Sequence, residues 1–122
     1  MGQLTIVLPG ERSPSVNEYY STPHWSKRNA IARRIHETVQ NRLRQMGIGP
    51  GETCNNRVSI TVVGYFDKRP LDASNISAKM YEDSLKGWLI EDDSPKYVEA
   101  ITAVSRVDKS NPRVEIILTE VE

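Results

Sequence analysis

Apolar residues along this chain gather into six segments, and their spacing assigns each one. Leu4 to Leu8 is a short apolar run ended by Pro9-Gly10, which predicts a strand over residues 4–8. In residues 26–46, Ile31, Ile35, Val39, Leu43 and Met46 recur at steps of four, four, four and three. That spacing puts them on one face of a helix, with Gly47 as its stop. Residues 57–66 alternate Val58, Ile60, Val62 and Gly64 with Ser59, Thr61, Val63 and Tyr65, the period of a strand. A second helix is predicted over residues 74–87, with Ile76, Met80, Ser84/Leu85 and Trp88 as its buried stripe. Residues 97–107 and 113–121 read as two further strands, joined by the turn Asp108-Lys109-Ser110-Asn111-Pro112. With Pro9, Pro14 and Pro23 nearby, residues 11–23 are expected to be an irregular loop, and residues 47–56 (GIGPGETCNN) a flexible connector. The order β-α-β-α-β-β implies an α+β fold: a single domain over residues 1–122, with a mixed four-stranded sheet packed with two main helices.

Bulk composition narrows the class. A chain of 122 residues makes one domain and buries roughly two-thirds of its unfolded surface, enough for a core without staples. Hydrophobic residues at 38% and charged residues at 26% fit a soluble globular protein, neither disordered nor membrane-spanning. The opening MGQLTIVLPGERSP has no charged leader and no long apolar run, and Ile6 stands where N-myristoylation wants Ser or Thr. Cys54 is alone, so no internal disulfide and no thiolate zinc site are expected, and a reducing cytoplasm is the default compartment.

Net charge is zero, but its distribution is uneven. Over residues 23–48, six bases (Lys27, Arg28, Arg33, Arg34, Arg42, Arg44) face one acid, Glu37. Over residues 82–122, ten acids face five bases. Two readings are open: one surface grips phosphates while another holds a cation, or the two halves attract each other within the fold.

The densest chemistry lies between Pro70 and Asp93, PLDASNISAKMYEDSLKGWLIEDD. Asp72 precedes the second predicted helix, and Asn75, Lys79 and Asp83 follow at i, i+4 and i+8, on one face. Glu91-Asp92-Asp93 closes the segment. If the helix folds back, Asp72 converges with Asp92 and Asp93, a set of hard oxygen ligands suited to Mg²⁺. The bland account is a capped helix, a solvated Lys79–Asp83 pair and a wet acidic loop. Trp25 is expected in the core rather than on DNA, and His24 and His36 lack metal-ligand spacing. Glycine-rich phosphate loops and Ser/His/Asp arrangements are absent.

The segment resembles the RusA family of Holliday junction resolvases, phage-borne members included. That family's pattern of Asp-x-Asp-Asn, a Lys one helical turn on, an Asp four residues later and a hydrophobic-x-Asp-Asp group is matched by Asp72-Ala73-Ser74-Asn75, Lys79, Asp83 and Ile90-Glu91-Asp92-Asp93. Pro14-Ser15-Val16-Asn17-Glu18-Tyr19-Tyr20, His24-Trp25-Ser26-Lys27-Arg28 and the tail Arg113-Val114-Glu115-Ile116-Ile117-Leu118 extend the similarity in order over nearly the whole chain.

The resemblance implies a Mg²⁺-dependent endonuclease (Mn²⁺ as a substitute) that nicks four-way DNA junctions symmetrically in recombination or repair, within a bacterial or phage-infected cell. It implies Asp72 and Asp93 as metal ligands, with Asp92 or a water in the outer shell, and Lys79 stabilising charge on the phosphate. Asn75 orients a carboxylate or caps the helix, and Asp83 supports the site. Lys27, Arg28, Arg33 and Arg34 are the expected phosphate contacts. Two symmetric nicks imply a homodimer.

One position departs from the family. Ser74 stands where the second Asp belongs, a neutral hydroxyl in place of an anionic ligand. Three outcomes are open: Asp67, Asp83 or Glu91 completes the site, the site binds metal weakly and cuts slowly, or the protein only binds branched DNA. A structural or protein-interaction role on the same scaffold is a further class.

Overall fold

The computed structural model describes residues 2–21 and 24–121. Its elements are β1 (Gln3–Pro9), α1 (Val16–Ser21), α2 (Trp25–Gln45), β2 (Val58–Phe66), a single 3₁₀ turn (Ala73–Asn75), α3 (Ala78–Asp83), β3 (Val98–Val107) and β4 (Arg113–Glu120). The expected α+β domain with a four-stranded mixed sheet is present, and no described helix is long and apolar enough to cross a membrane.

Sheet order is β1-β4-β2-β3. β4 runs antiparallel to both β1 and β2, whereas β2 and β3 are parallel. β3 and β4 are therefore not partners, although only the 108–112 turn separates them. The chain crosses the end of β2, and Asp108 N–H donates to the Phe66 carbonyl at 2.9 Å as it does so. Parallel pairing of β2 and β3 requires a long crossover, and that crossover carries the whole Pro70–Asp93 segment.

The buried faces of β1, β2 and β4 follow the period-two pattern, whereas the edge strand β3 buries only Val98. Ile6, Leu8, Val58, Ile60, Val62, Phe66, Val114, Ile116 and Leu118 join one core with Ile35, Val39 and Leu43 of α2. Gly64 occupies the same face because a Cβ there would stand 2.9 Å from the Phe66 ring. α2 ends as its sequence predicts. Gly47 takes φ +81°, and the N–H groups of Gly47 and Ile48 return to the carbonyls of Arg44 and Leu43, at 2.9 Å each.

Two expectations are corrected. The loop expected over residues 11–23 contains a short helix, α1; Pro23 lies outside the described residues. The Ser15 hydroxyl accepts the Glu18 N–H at 3.3 Å, and Asn75 Oδ1 accepts the Asn17 N–H at 3.0 Å, so two side chains satisfy the first turn. The helix expected over residues 74–87 is broken. Ile76 is extended and pairs with Ser15 in a β-bridge, and Ser77 donates its N–H to Ser13 Oγ (3.0 Å) and its hydroxyl to the Pro14 carbonyl (2.7 Å). These long-range bonds outcompete the helical ladder, so only Ala78–Asp83 remains helical. Ile76, Met80, Ser84, Leu85 and Trp88 are nonetheless all buried.

Behind α3 lies a buried polar contact. The Tyr81 hydroxyl donates to Glu11 Oε2 at 2.8 Å, and Arg34 grips the same carboxylate with two bonds of 3.0 and 3.3 Å. Burial, then the Glu11 charge, pushes the Tyr81 phenol well above its usual range, so it remains a donor. Tyr81→Phe is expected to lower unfolding free energy by about 1.5–3 kcal/mol, the worth of a hydrogen bond to a charged group. Chemical denaturation of the two proteins measures it.

Candidate active site

The short α3 presents a regular arrangement. Lys79, Glu82, Asp83 and, one residue group beyond the helix, Lys86 follow at i, i+3, i+4 and i+7, the spacing that stacks side chains on one helical face. The loop after Ile90 brings Asp93 onto the same cluster. Lys79 donates to Asp93 through a short contact and lies 3.1 Å from Asp83 and 3.4 Å from Glu82. Lys86 lies 3.2 Å from Asp83 and 3.1 Å from Asp93. Oxygens of Glu82, Asp83 and Asp93 all come within 4.8 Å of one another.

Three carboxylates this close repel, and the two ammonium groups offset that repulsion. Hydrogen bonds from Lys79, then Lys86, hold the Asp93 carboxyl well below the usual aspartate range, and those to Asp93 raise both lysines. Glu82 behaves differently: it is only 5% exposed, and burial raises its pKa despite Lys79 beside it. Asp83 Oδ1 is buried with two ammonium nitrogens nearby, yet neither meets it at a hydrogen-bonding angle. That oxygen is held by close charge contacts with both ammonium groups rather than by aligned hydrogen bonds. The three carboxylates are an all-oxygen donor set of the kind that suits a hard divalent cation such as Mg²⁺ or Mn²⁺, for which the two ammonium groups would compete.

Of the residues singled out in the sequence, Lys79, Asp83 and Asp93 come together. Asp72 does not join them. It sits exposed at the N-cap of the 3₁₀ turn, makes no capping bond, and is outside the carboxylate cluster. The single helix expected to fold it back onto Asp93 is absent. Asp92 is exposed and also outside the cluster, and Ser74 is exposed on the 3₁₀ turn. Asn75 belongs to that turn and so does not share a helical face with Lys79 and Asp83; it caps α1 instead. Among the acids weighed as substitutes for the missing carboxylate, Asp67 accepts the Lys68 N–H at 2.8 Å and Glu91 accepts the Tyr97 hydroxyl at 2.7 Å. Only Asp83 is in the cluster. Glu82 and Lys86 were missed, although their spacing from Lys79 was legible as one helical face.

The basic residues divide. Lys27 and Arg33 are exposed on α2 and Arg28 is half-buried, whereas Arg34, 50% exposed, is committed to Glu11. Trp25 is not in the core; it is 69% exposed. Among the described residues no ion pair joins a base of α2 to an acid of residues 82–121, so direct pairing between the basic and acidic halves does not explain the asymmetry. No protein-family model matches this chain, and no curated protein matches it significantly.

The cluster has a direct pH consequence. A carboxylate whose pKa is depressed on folding contributes its ion-pair stabilisation in full above its unfolded value of 3.8, and loses it as pH falls through the lower folded value. A carbon-detected NMR titration should find the Asp93 carboxyl still ionised below pH 3.8 in the native protein. In Lys79→Ala its midpoint should move back up.

Proposed function

We propose that this protein is a divalent-metal-dependent endodeoxyribonuclease that resolves four-way DNA junctions. One observation carries the reading. Lys79, Asp83 and Asp93 are positions that the resemblance to junction resolvases singles out, and they lie in mutual contact although the first and last are separated by fourteen residues. A solvated helix pair accounts for Lys79 and Asp83 but not for Asp93 joining them from a separate loop.

In this reading Glu82, Asp83 and Asp93 supply the oxygen ligands, and Asp72, which the resemblance assigns to the metal, lies outside that cluster and has no part in holding the ion. A Mg²⁺ held by these carboxylates would supply Lewis-acid chemistry, polarising a phosphate and lowering the pKa of a bound water. Lys79 and Lys86 keep Asp93 ionised, and ammonium groups at this position would stabilise negative charge on a phosphate beside the cluster. Lys27, Arg28 and Arg33 contact the DNA backbone. Symmetric nicks on a two-fold junction call for a homodimer with one site per subunit, working in the cytoplasm of a bacterial or phage-infected cell.

A second reading has its own observation. Ser74 contributes no charge, and two ammonium groups already offset most of the carboxylate cluster. On that account the protein binds branched DNA without cutting it.

Cleavage of a labelled synthetic four-way junction in Mg²⁺ and Mn²⁺ separates the two. The nuclease reading expects symmetric nicks from the native protein, their loss in Asp93→Asn, and a rate lower by about 10²–10³ in Lys79→Ala, the usual effect of removing one group that stabilises transition-state charge. Nicks from Ser74→Asp alone would mean a sound scaffold with lost chemistry. Junction binding that survives chelation, with no nicks from either protein, would leave the binding reading.

A further inference from the structure

Between α1 and α3 runs a groove of about 400 Å³, within the roughly 300–1,000 Å³ typical of small-ligand sites. Val16 and Tyr20 form one wall, and Ile76, Ala78 and Met80 the other. Lys79 and Asp83, members of the carboxylate–ammonium cluster, also line it, so groove and candidate active site are continuous. Tyr20 is 68% exposed, with its ring edge-on to Tyr19 at a centroid distance of 5.0 Å. Folding thus leaves a flat aromatic face uncovered at an apolar slot.

Lys79 and Asp83 are the charged residues in the groove lining, and the sequence that follows Tyr20 adds further charge of one sign. The chain leaving the Tyr20 wall enters α2, and between Glu18 and Glu37 it carries Lys27, Arg28, Arg33 and Arg34 and no acid. Lys27 lies seven residues beyond Tyr20, within roughly 25 Å even if that chain were fully extended. An aromatic-walled apolar slot with a lysine in its lining, followed in sequence by an acid-free basic segment, complements a ligand with a flat π-face and an anionic backbone, as single-stranded DNA has. A peptide partner would gain nothing from the acid-free stretch unless it too were strongly acidic.

We propose that the α1–α3 groove seats one unstacked base of the DNA, stacked on Tyr20, with its backbone held by Lys27 and Arg28 and an adjoining phosphate next to Lys79. The proposal rests on the nuclease reading and adds to it a substrate class: DNA that can offer an unpaired base at the point of cutting. A continuous duplex must first unstack that base, which costs a few kcal/mol.

The test uses a short single-stranded oligonucleotide carrying a fluorescent adenine analogue, titrated into the full chain without metal and again with Mg²⁺. Methyl NMR should show shifts at Val16, Ile76, Ala78 and Met80, and the analogue should be quenched. Tyr20→Ala should weaken binding about 5- to 150-fold, the range for loss of one base–aromatic stack, while Tyr20→Phe should bind as the native protein does. A fully paired duplex of the same sequence should leave the groove methyls unmoved. Unmoved groove methyls with the single strand, or Tyr20→Ala binding at native affinity, would overturn the proposal. Its failure is separable from that of the nuclease: groove binding without metal-dependent cleavage keeps the seat and removes the enzyme, and cleavage with silent groove methyls does the reverse.

Discussion

The segment from Ser13 to Ser15 meets Ile76 and Ser77 through one β-bridge and two hydroxyl-mediated hydrogen bonds, and most of the site geometry follows from that junction. It occurs at a point where the local sequence favours a continuous helix. By supplying partners for the Ser77 N–H and hydroxyl, the loop from β1 makes the extended form at Ile76 more stable than another helical turn. The helix then restarts at Ala78. That restart aims Lys79, Glu82 and Asp83 towards the loop bearing Asp93, and leaves Asp72 on the other side of the break. It also opens the space between α1 and α3. The Asn75 side chain completes the junction by accepting the Asn17 N–H, so the start of α1 is fastened to the 3₁₀ turn.

Neither α1 nor α3 is long enough to be stable alone, since isolated helices of a few residues are marginal in water. Their order comes from tertiary contacts. Tyr81 and Met80 anchor α3 in the core, and Glu11, held by Tyr81 and Arg34, ties it to β1 and α2. Arg34 illustrates how a residue's role depends on placement: as a sequence position it is one more cation in a basic helix, yet here its guanidinium satisfies a buried carboxylate. The Lys79 and Lys86 ammonium groups perform a comparable task for three carboxylates crowded within a few ångströms. Such a cluster persists because opposite charges lie between its members, and the same crowding leaves Asp83 with an oxygen lacking a well-aligned donor.

Much of the fold was legible because its segments are long and strongly periodic. The α2 stripe Ile35, Val39 and Leu43 is fully buried, and β2, β3 and β4 fall within a residue or so of their expected bounds. The site was legible in part. The motif pattern marks Lys79, Asp83 and Asp93, whereas Glu82 belongs to no motif and is an acidic type that is usually solvated. Trp25 was placed in the core on the equally general ground that tryptophan is mostly buried, and it proved exposed.

By itself, the sequence determined the number of strands, the inward stripe of α2 and where α2 stops, because hydrophobic period and terminal glycine chemistry act over a few neighbouring residues. Tertiary structure alone decided that β2 separates β3 from β4, that residues 76–77 leave the helix, and that Glu82 rather than Asp72 completes the carboxylate cluster. Each of those outcomes depends on hydrogen bonds or charge contacts between residues many positions apart. Their energies exceed the modest local preferences they override, and no window of adjacent residues contains both partners.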